Sequence, residues 1–370
     1  MSKLGQNIYV VGGGPAGLAA AIALKRIGCS VTVVDCAVPP IDKACGEGLL
    51  PDSLVELRKL GIEVSNETGF PFRGIRFADR HSSACADFPT GIAKGVRRIV
   101  LHRLLIEHAN GIGVSFIWDA KHVRLMDRGL CLDDRFLRAD LVVGADGQNS
   151  KIRESAGLNV VTREKRRYAF RKHYRIAPWA SYMEVHWASK AQIYVTPVAT
   201  DEVCVAVVSR ESNVRLQEAL SDFPELNSRL KTAETVSSER GALSVSRSLK
   251  SVCSKNVVLI GDASGSIDAI TGEGICVSLK QAHALAAAVQ SCNLALYQQL
   301  HLKLMRRPQT MASLMLTLDG NAQLQRRVLA AFARNPEVFR SLLAVHVGAA
   351  QFRHLWSWSL VDFGRAFLAA

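Results

Sequence analysis

Glycine and aspartate recur in three short segments of this 370-residue chain, in a pattern suited to holding phosphate against bare backbone. The first is Gly12-Gly13-Gly14-Pro15-Ala16-Gly17, with Asp35 closing the next apolar run. The second is Gly144-Ala145-Asp146-Gly147-Gln148-Asn149-Ser150, followed by Arg153. The third is Gly261-Asp262-Ala263-Ser264, running into Thr271-Gly272-Glu273-Gly274-Ile275. A glycine lets an anionic group approach main-chain N–H donors, and a spaced acid accepts from sugar hydroxyls. The ordered set reads as a pocket for a dinucleotide, FAD.

The elements that must position these residues are legible around the first segment. Ile8 to Val11 is a short apolar run with the composition of a buried parallel strand. The Ala- and Leu-rich stretch from Leu18 to Ile27 follows as a helix, Gly28 stops it, and Val31 to Val34 forms the next strand. In this βαβ unit Gly12 makes the tight turn, Gly14 admits the pyrophosphate and Gly17 lets helix and sheet pack closely. Pro15 and Ala16 open a helix whose free N–H groups and dipole face the phosphates. Asp35 stands where it would bind the adenosine ribose.

Composition agrees with a soluble enzyme of two domains, since 48% of the residues are hydrophobic. Nine cysteines, scattered and without a CxxC pair, argue for a reducing cytoplasm and against a disulfide framework or a metal site. The net charge of +13 comes without a zinc finger, RNA-recognition signature or basic heptads, so nucleic acid is not an expected partner. A positive field suits FAD pyrophosphate, NADPH, anionic substrates or acidic lipid surfaces.

Organisation follows from periodicity. A helix is expected from Pro51 to Leu60 and another from about Leu101 to Ala109, with short strands at Phe72–Phe77 and Ala84–Phe88. Between residues 160 and 250, alternation at Tyr182–Trp187, Gln192–Val195 and Val203–Val208 predicts an antiparallel sheet. Beyond residue 275 the pattern is helical. The fold class is therefore α/β: a Rossmann-like FAD-binding domain interrupted by an antiparallel-sheet substrate domain, then a helical C-terminal tail. Residues 1–70, 95–158 and 252–300 would make the first, 71–94 and 159–251 the second, and 301–370 the tail.

With these motifs the chain resembles the flavoprotein group that unites single-component aromatic hydroxylases, geranylgeranyl reductases and flavin-dependent halogenases, over roughly residues 5 to 300. The resemblance implies a glutathione-reductase-like FAD domain with the substrate held between it and the sheet. It places Asp146 and Gly147 beside the pyrophosphate, Asp262 after Gly261 on the ribityl chain, and Arg98 against the cofactor. Gly272, Gly274 and Ile275 would face the isoalloxazine ring with backbone N–H groups, and Glu273 should point away to a helix-start or surface role. Lys43-Ala44-Cys45-Gly46-Glu47-Gly48-Leu49 is similar to the CGxGL segment of the reductase branch, which places Gly46 near the cofactor and Cys45 near the flavin. Neither the WxWxIP of halogenases nor the YxWxFP of archaeal reductases is present; Gln192-Ile193-Tyr194-Val195-Thr196-Pro197 stands there.

His173, on an expected sheet strand, and Tyr194 join Cys45 as candidate catalytic residues; the Arg163–Arg167 cluster reads as a solvated loop. The leading expectation is an NAD(P)H-driven monooxygenase acting on a hydrophobic aromatic, polyketide or isoprenoid substrate through a flavin hydroperoxide. The alternative is a reductase of prenyl or lipid alkenes, and a third is a flavin-binding electron carrier. The apolar tail, with Trp356, Trp358, Phe363 and Phe367, is expected to pack over the cavity or to touch a membrane surface peripherally.

Overall fold

The computed structural model describes residues 7–355. The expectations for Trp356, Trp358, Phe363 and Phe367 fall outside them. A six-stranded sheet has the order Cys253–Ser254, Val257–Leu259, Leu141–Gly144, Asn7–Val11, Ser30–Val34, Ser115–Ile117. All neighbours in it are parallel except the first pair. The strands are short and apolar because both faces are covered, as parallel sheets require. Helix Pro15–Arg26 buries Leu18, Ile22 and Leu24 against the sheet, and helix Gly274–Gln290 packs beside it.

Register explains why distant motifs meet. Val11 lies opposite both Val34 and Gly144, and Gly144 lies opposite Leu259. The three strands thus end at one level. They deliver Gly12, Ala145–Gly147 and Gly261–Asp262 to the carboxyl edge of the sheet, where open α/β sheets hold their ligands.

The second large sheet has eight strands. Seven follow in the order Glu234–Thr235, Val161–Arg175, Glu202–Ser209, Ala191–Ala199, Tyr182–Trp187, Gly74–Ala78, Ser83–Asp87, and Arg240–Leu249 pairs on Val161–Arg175. Only Tyr182–Trp187 with Gly74–Ala78 runs parallel. One face packs on helices Ala322–Arg334 and Pro336–His346 through Phe77, Trp187, Phe332 and Phe339. The other face is covered by helices Leu216–Leu220 and Pro224–Thr232. A small three-stranded sheet of Gly48–Leu49, Ala93–Gly95 and Phe70–Phe72 lies outside both, so residues 70–95 are divided between two sheets.

Local readings shift in detail. The helix expected from Leu101 begins at Arg98 and ends at Gly111. The arginine-rich stretch is no loop: Val161–Arg175 is one long strand, with Arg163, Lys165 and Arg166 exposed and Arg167 buried. Among the described residues no helix is long and apolar enough to cross a membrane.

Candidate active site

A cleft of about 330 Å³ opens where the carboxyl edge of the parallel sheet meets the antiparallel sheet. Its cofactor-side wall includes Gly14, Pro15, Ala16, Gly147, Asp262, Gly272, Gly274 and Ile275, together with Cys45, Gly46 and Arg98. Tyr194 lines the opposite side with Ile75, Phe170, Met183, Ala206 and Val208.

The glycines separate by what surrounds them. Gly12 sits at φ +115°, and a Cβ there would lie 2.3 Å from the Ala145 carbonyl oxygen. At Gly17 it would lie 1.8 Å from the Gly12 carbonyl oxygen. Gly261 would press its Cβ on Ala16. These three hold the turns and the packing behind the cleft. At Gly14, Gly46, Gly272 and Gly274, by contrast, a Cβ would meet no protein atom within 4 Å. Gly272 also sits at φ +66°, and the open space along all four is the condition for pyrophosphate and ring to lie on bare backbone.

Arg98 is 6% exposed, yet its Nη1 is buried without a hydrogen-bond partner in the protein. Burial and the nearby Arg171 charge press its pKa down. An unpaired guanidinium on the cleft wall fits an anionic group such as the FAD pyrophosphate. Asp262 is exposed into the cleft but densely surrounded, and this desolvation raises its pKa, offset by Lys43.

Other predicted residues make their bonds within the protein. Asp35 accepts from the Gly13 N–H at 2.6 Å and the Ala37 N–H at 2.8 Å, bracing the glycine turn. The carboxylate of Asp146 does not line the cleft. It accepts from the Ser150 hydroxyl and from the Lys151 and Ile152 N–H groups, and so holds the start of helix Lys151–Ser155. Arg153, also buried, donates to the Gln148 and Ala263 carbonyl oxygens, tying the second segment to the third. Sequence reasoning missed His102, fully buried, whose Nε2–H donates to the Gly13 carbonyl oxygen at 2.8 Å.

The candidate catalytic residues divide. Cys45 lines the cleft, and burial, then the Glu47 charge, raises its pKa, so it presents a neutral thiol. Tyr194 offers its ring; its hydroxyl donates to Gln192 Oε1 at 2.6 Å or to the Ile270 carbonyl oxygen at 3.0 Å, and burial raises its pKa. His173 does not face the cleft. It is fully buried, with Nε2 2.7 Å from Glu47 Oε2. Glu47, which the sequence reading left without a role, is the residue that reaches the wall. It holds φ +60°, and its Oε1 accepts from the Arg98 N–H at 2.9 Å. Glu273 turns away from the cleft and stands at the start of helix Gly274–Gln290, as expected; it is buried there against Arg307 and His346, not at the surface.

The sequence model of the FAD binding domain family matches residues 6–292, so the chain belongs to that family and is an FAD-dependent oxidoreductase. Among individual proteins, it is similar to the menaquinone reductase of Mycobacterium tuberculosis. The two are 26% identical over 317 residues, 78% of each chain. An FAD-dependent monooxygenase of Aspergillus terreus is 28% identical over 164 residues, 40% of this chain and 49% of that one. A flavoprotein/dehydrogenase from Cytophaga hutchinsonii shares the fold, with a TM-score of 0.82, 19% identity and 98% of each chain covered.

Proposed function

We propose that this protein reduces a carbon–carbon double bond in a hydrophobic, isoprenoid-type lipid, using electrons that NAD(P)H or another reduced donor supplies to FAD. The observation that carries this reading is the substrate-side wall: Ile75, Phe170, Met183, Ala206 and Val208 are apolar, and the Tyr194 hydroxyl and His173 imidazole are both engaged elsewhere. Burial against these side chains favours an apolar chain, while the polar lining residues Glu47, Arg171, Ser244, Ser266 and Asp268 belong to the same cleft. An alkene asks only for apolar enclosure, a hydride and a proton. The menaquinone reductase, named for a lipid with a polyprenyl tail, supports the same substrate class.

FAD, when bound, supplies the hydride. Gly14, Gly272 and Gly274 would leave it room, Arg98 would neutralise phosphate, and the N–H groups opening helix Gly274–Gln290 would stabilise negative charge on its ring. The apolar wall excludes water and orients the alkene. Monooxygenation is the second reading, supported by the Aspergillus relative.

The test mixes pre-reduced protein with menaquinone or a polyprenyl alcohol in micelles, first without and then with dioxygen, and follows the flavin spectrum and the mass and fragments of the product. Reoxidation of the flavin with gain of two hydrogens at a side-chain double bond is expected. Turnover that needs dioxygen and adds one oxygen atom would overturn the reductase reading in favour of the second.

A further inference from the structure

Three side chains behind the cleft form a continuous hydrogen-bonded line. Ser237, half-buried and open to solvent, has its Oγ 2.8 Å from His173 Nδ1. His173 Nε2 is 2.7 Å from Glu47 Oε2, and Glu47 is part of the cleft wall beside Cys45. His173 has no exposed surface and Glu47 only 2%.

The protonation pattern follows from the donors present. Arg171 Nη1 lies 2.9 Å from His173 Nδ1. A guanidinium only donates, so Nδ1 is an acceptor and the ring proton sits on Nε2, pointing at Glu47. Glu47 accepts on both oxygens, from His173 and from the Arg98 N–H. Arg171 is itself fixed by Asp42 at 2.7 Å. Glu47, His173 and Cys204 place their ligand atoms within 4.8 Å of one another, the spacing of a metal site. The guanidinium against Nδ1 and the direct hydrogen bond from Nε2 to Glu47 use the same atoms for proton exchange instead.

We propose that Ser237, His173 and Glu47 are a proton path joining solvent to the cleft. Ser237 Oγ and Arg171 Nη1 share the single lone pair of Nδ1, so the Arg171 N–H gives it up as a proton enters from Ser237 and another leaves Nε2 to Glu47; a flip of the ring then returns the proton to the Nε2 side. The use of that proton rests on the reading above. One alkene carbon would take a hydride from the reduced flavin, which would thereby lose two electrons; the other carbon would take its proton from the Glu47 carboxyl, which the path then reprotonates. The path draws from bulk water, so no further co-reactant is needed.

The path is testable without substrate. In FAD-loaded protein labelled with ¹⁵N-histidine, exchange of the His173 Nε2 proton with solvent is compared among wild type, Ser237→Val and Ser237→Thr. Valine and threonine have one shape and differ in the hydroxyl. Exchange is expected to slow about tenfold or more in Ser237→Val and to stay near wild type in Ser237→Thr. Equal rates in wild type and Ser237→Val would overturn the path. In single turnover of a polyprenyl alcohol, Ser237→Val should slow the alkene-dependent step by a similar factor and alter its solvent deuterium effect. A wild type that never reduces the alkene would sink the functional reading alone, because proton exchange still decides the path.

Discussion

At the scale of single residues, the cleft is defined as much by missing atoms as by those present. Gly14 and Gly17 are three positions apart and obey opposite constraints. A side chain at Gly14 enters space that no protein atom occupies, while one at Gly17 collides with the Gly12 carbonyl. Gly14→Leu should therefore leave the folded apoprotein close to wild type in thermal stability and lower FAD affinity at least about a hundredfold, because the leucine fills the phosphate position. Gly17→Ala should destabilise the fold by about 1–3 kcal/mol through overpacking. Fluorescence titration with FAD and urea unfolding of the apoproteins separate the two. Full FAD occupancy in Gly14→Leu would remove the pyrophosphate from the glycine turn. Arg98 invites the same test from the other side: its Nη1 is a buried donor with no partner in the protein, as a guanidinium that binds a ligand would be.

At the scale of elements, the turn Gly261–Ser264 is supported by helix Leu294–Leu318 through His301, whose Nε2–H donates to Ser264 Oγ at 3.0 Å. His301 is 5% exposed, and burial lowers its pKa from an ordinary 6.5 to about 4. The unfolded chain thus binds the proton more tightly, so the stabilisation is complete above pH 6.5 and is lost as pH falls toward 4. Between these limits wild type should lose on the order of 3 kcal/mol more than His301→Gln, which keeps a donor without titrating. Parallel pH dependence of the two urea midpoints would show that the imidazole does not control the turn. This contact also shows what sequence conveys. The βαβ unit was legible because strand, glycines and helix are neighbours in the chain and obey local rules. The strand Val161–Arg175 was not, since its charged run reads as a loop until Arg240–Leu249 pairs along it. His301 on Ser264 and His173 on Glu47 join residues far apart in sequence, where no periodicity signals partnership.

At the scale of the whole molecule, the flavin-side loop and the C-terminal helices are joined by buried charge. Glu273, 1% exposed, accepts from Arg307 Nη2 at 2.9 Å and lies 3.5 Å from His346 Nδ1; burial raises its pKa. Arg307 also donates to the Val345 and His346 carbonyl oxygens at the end of helix Pro336–His346. One guanidinium thus holds the loop Thr271–Ile275 to the helical layer that covers the antiparallel sheet. Arg307→Met would leave a buried carboxylate with only the His346 imidazole, 3.5 Å away, at a cost of about 3–5 kcal/mol. Glu273→Gln removes the charge that Arg307 compensates, so the double variant should be more stable than the sum of the single losses predicts. A coupling of at least about 1 kcal/mol is expected from urea unfolding of the four proteins. FAD affinity should follow stability, falling in Arg307→Met and recovering in part in the double variant, because the loop with the open glycines Gly272 and Gly274 is what the pair anchors. Additive losses, or FAD affinity indifferent to Arg307, would show that the helical layer and the cofactor loop are energetically independent despite their contact.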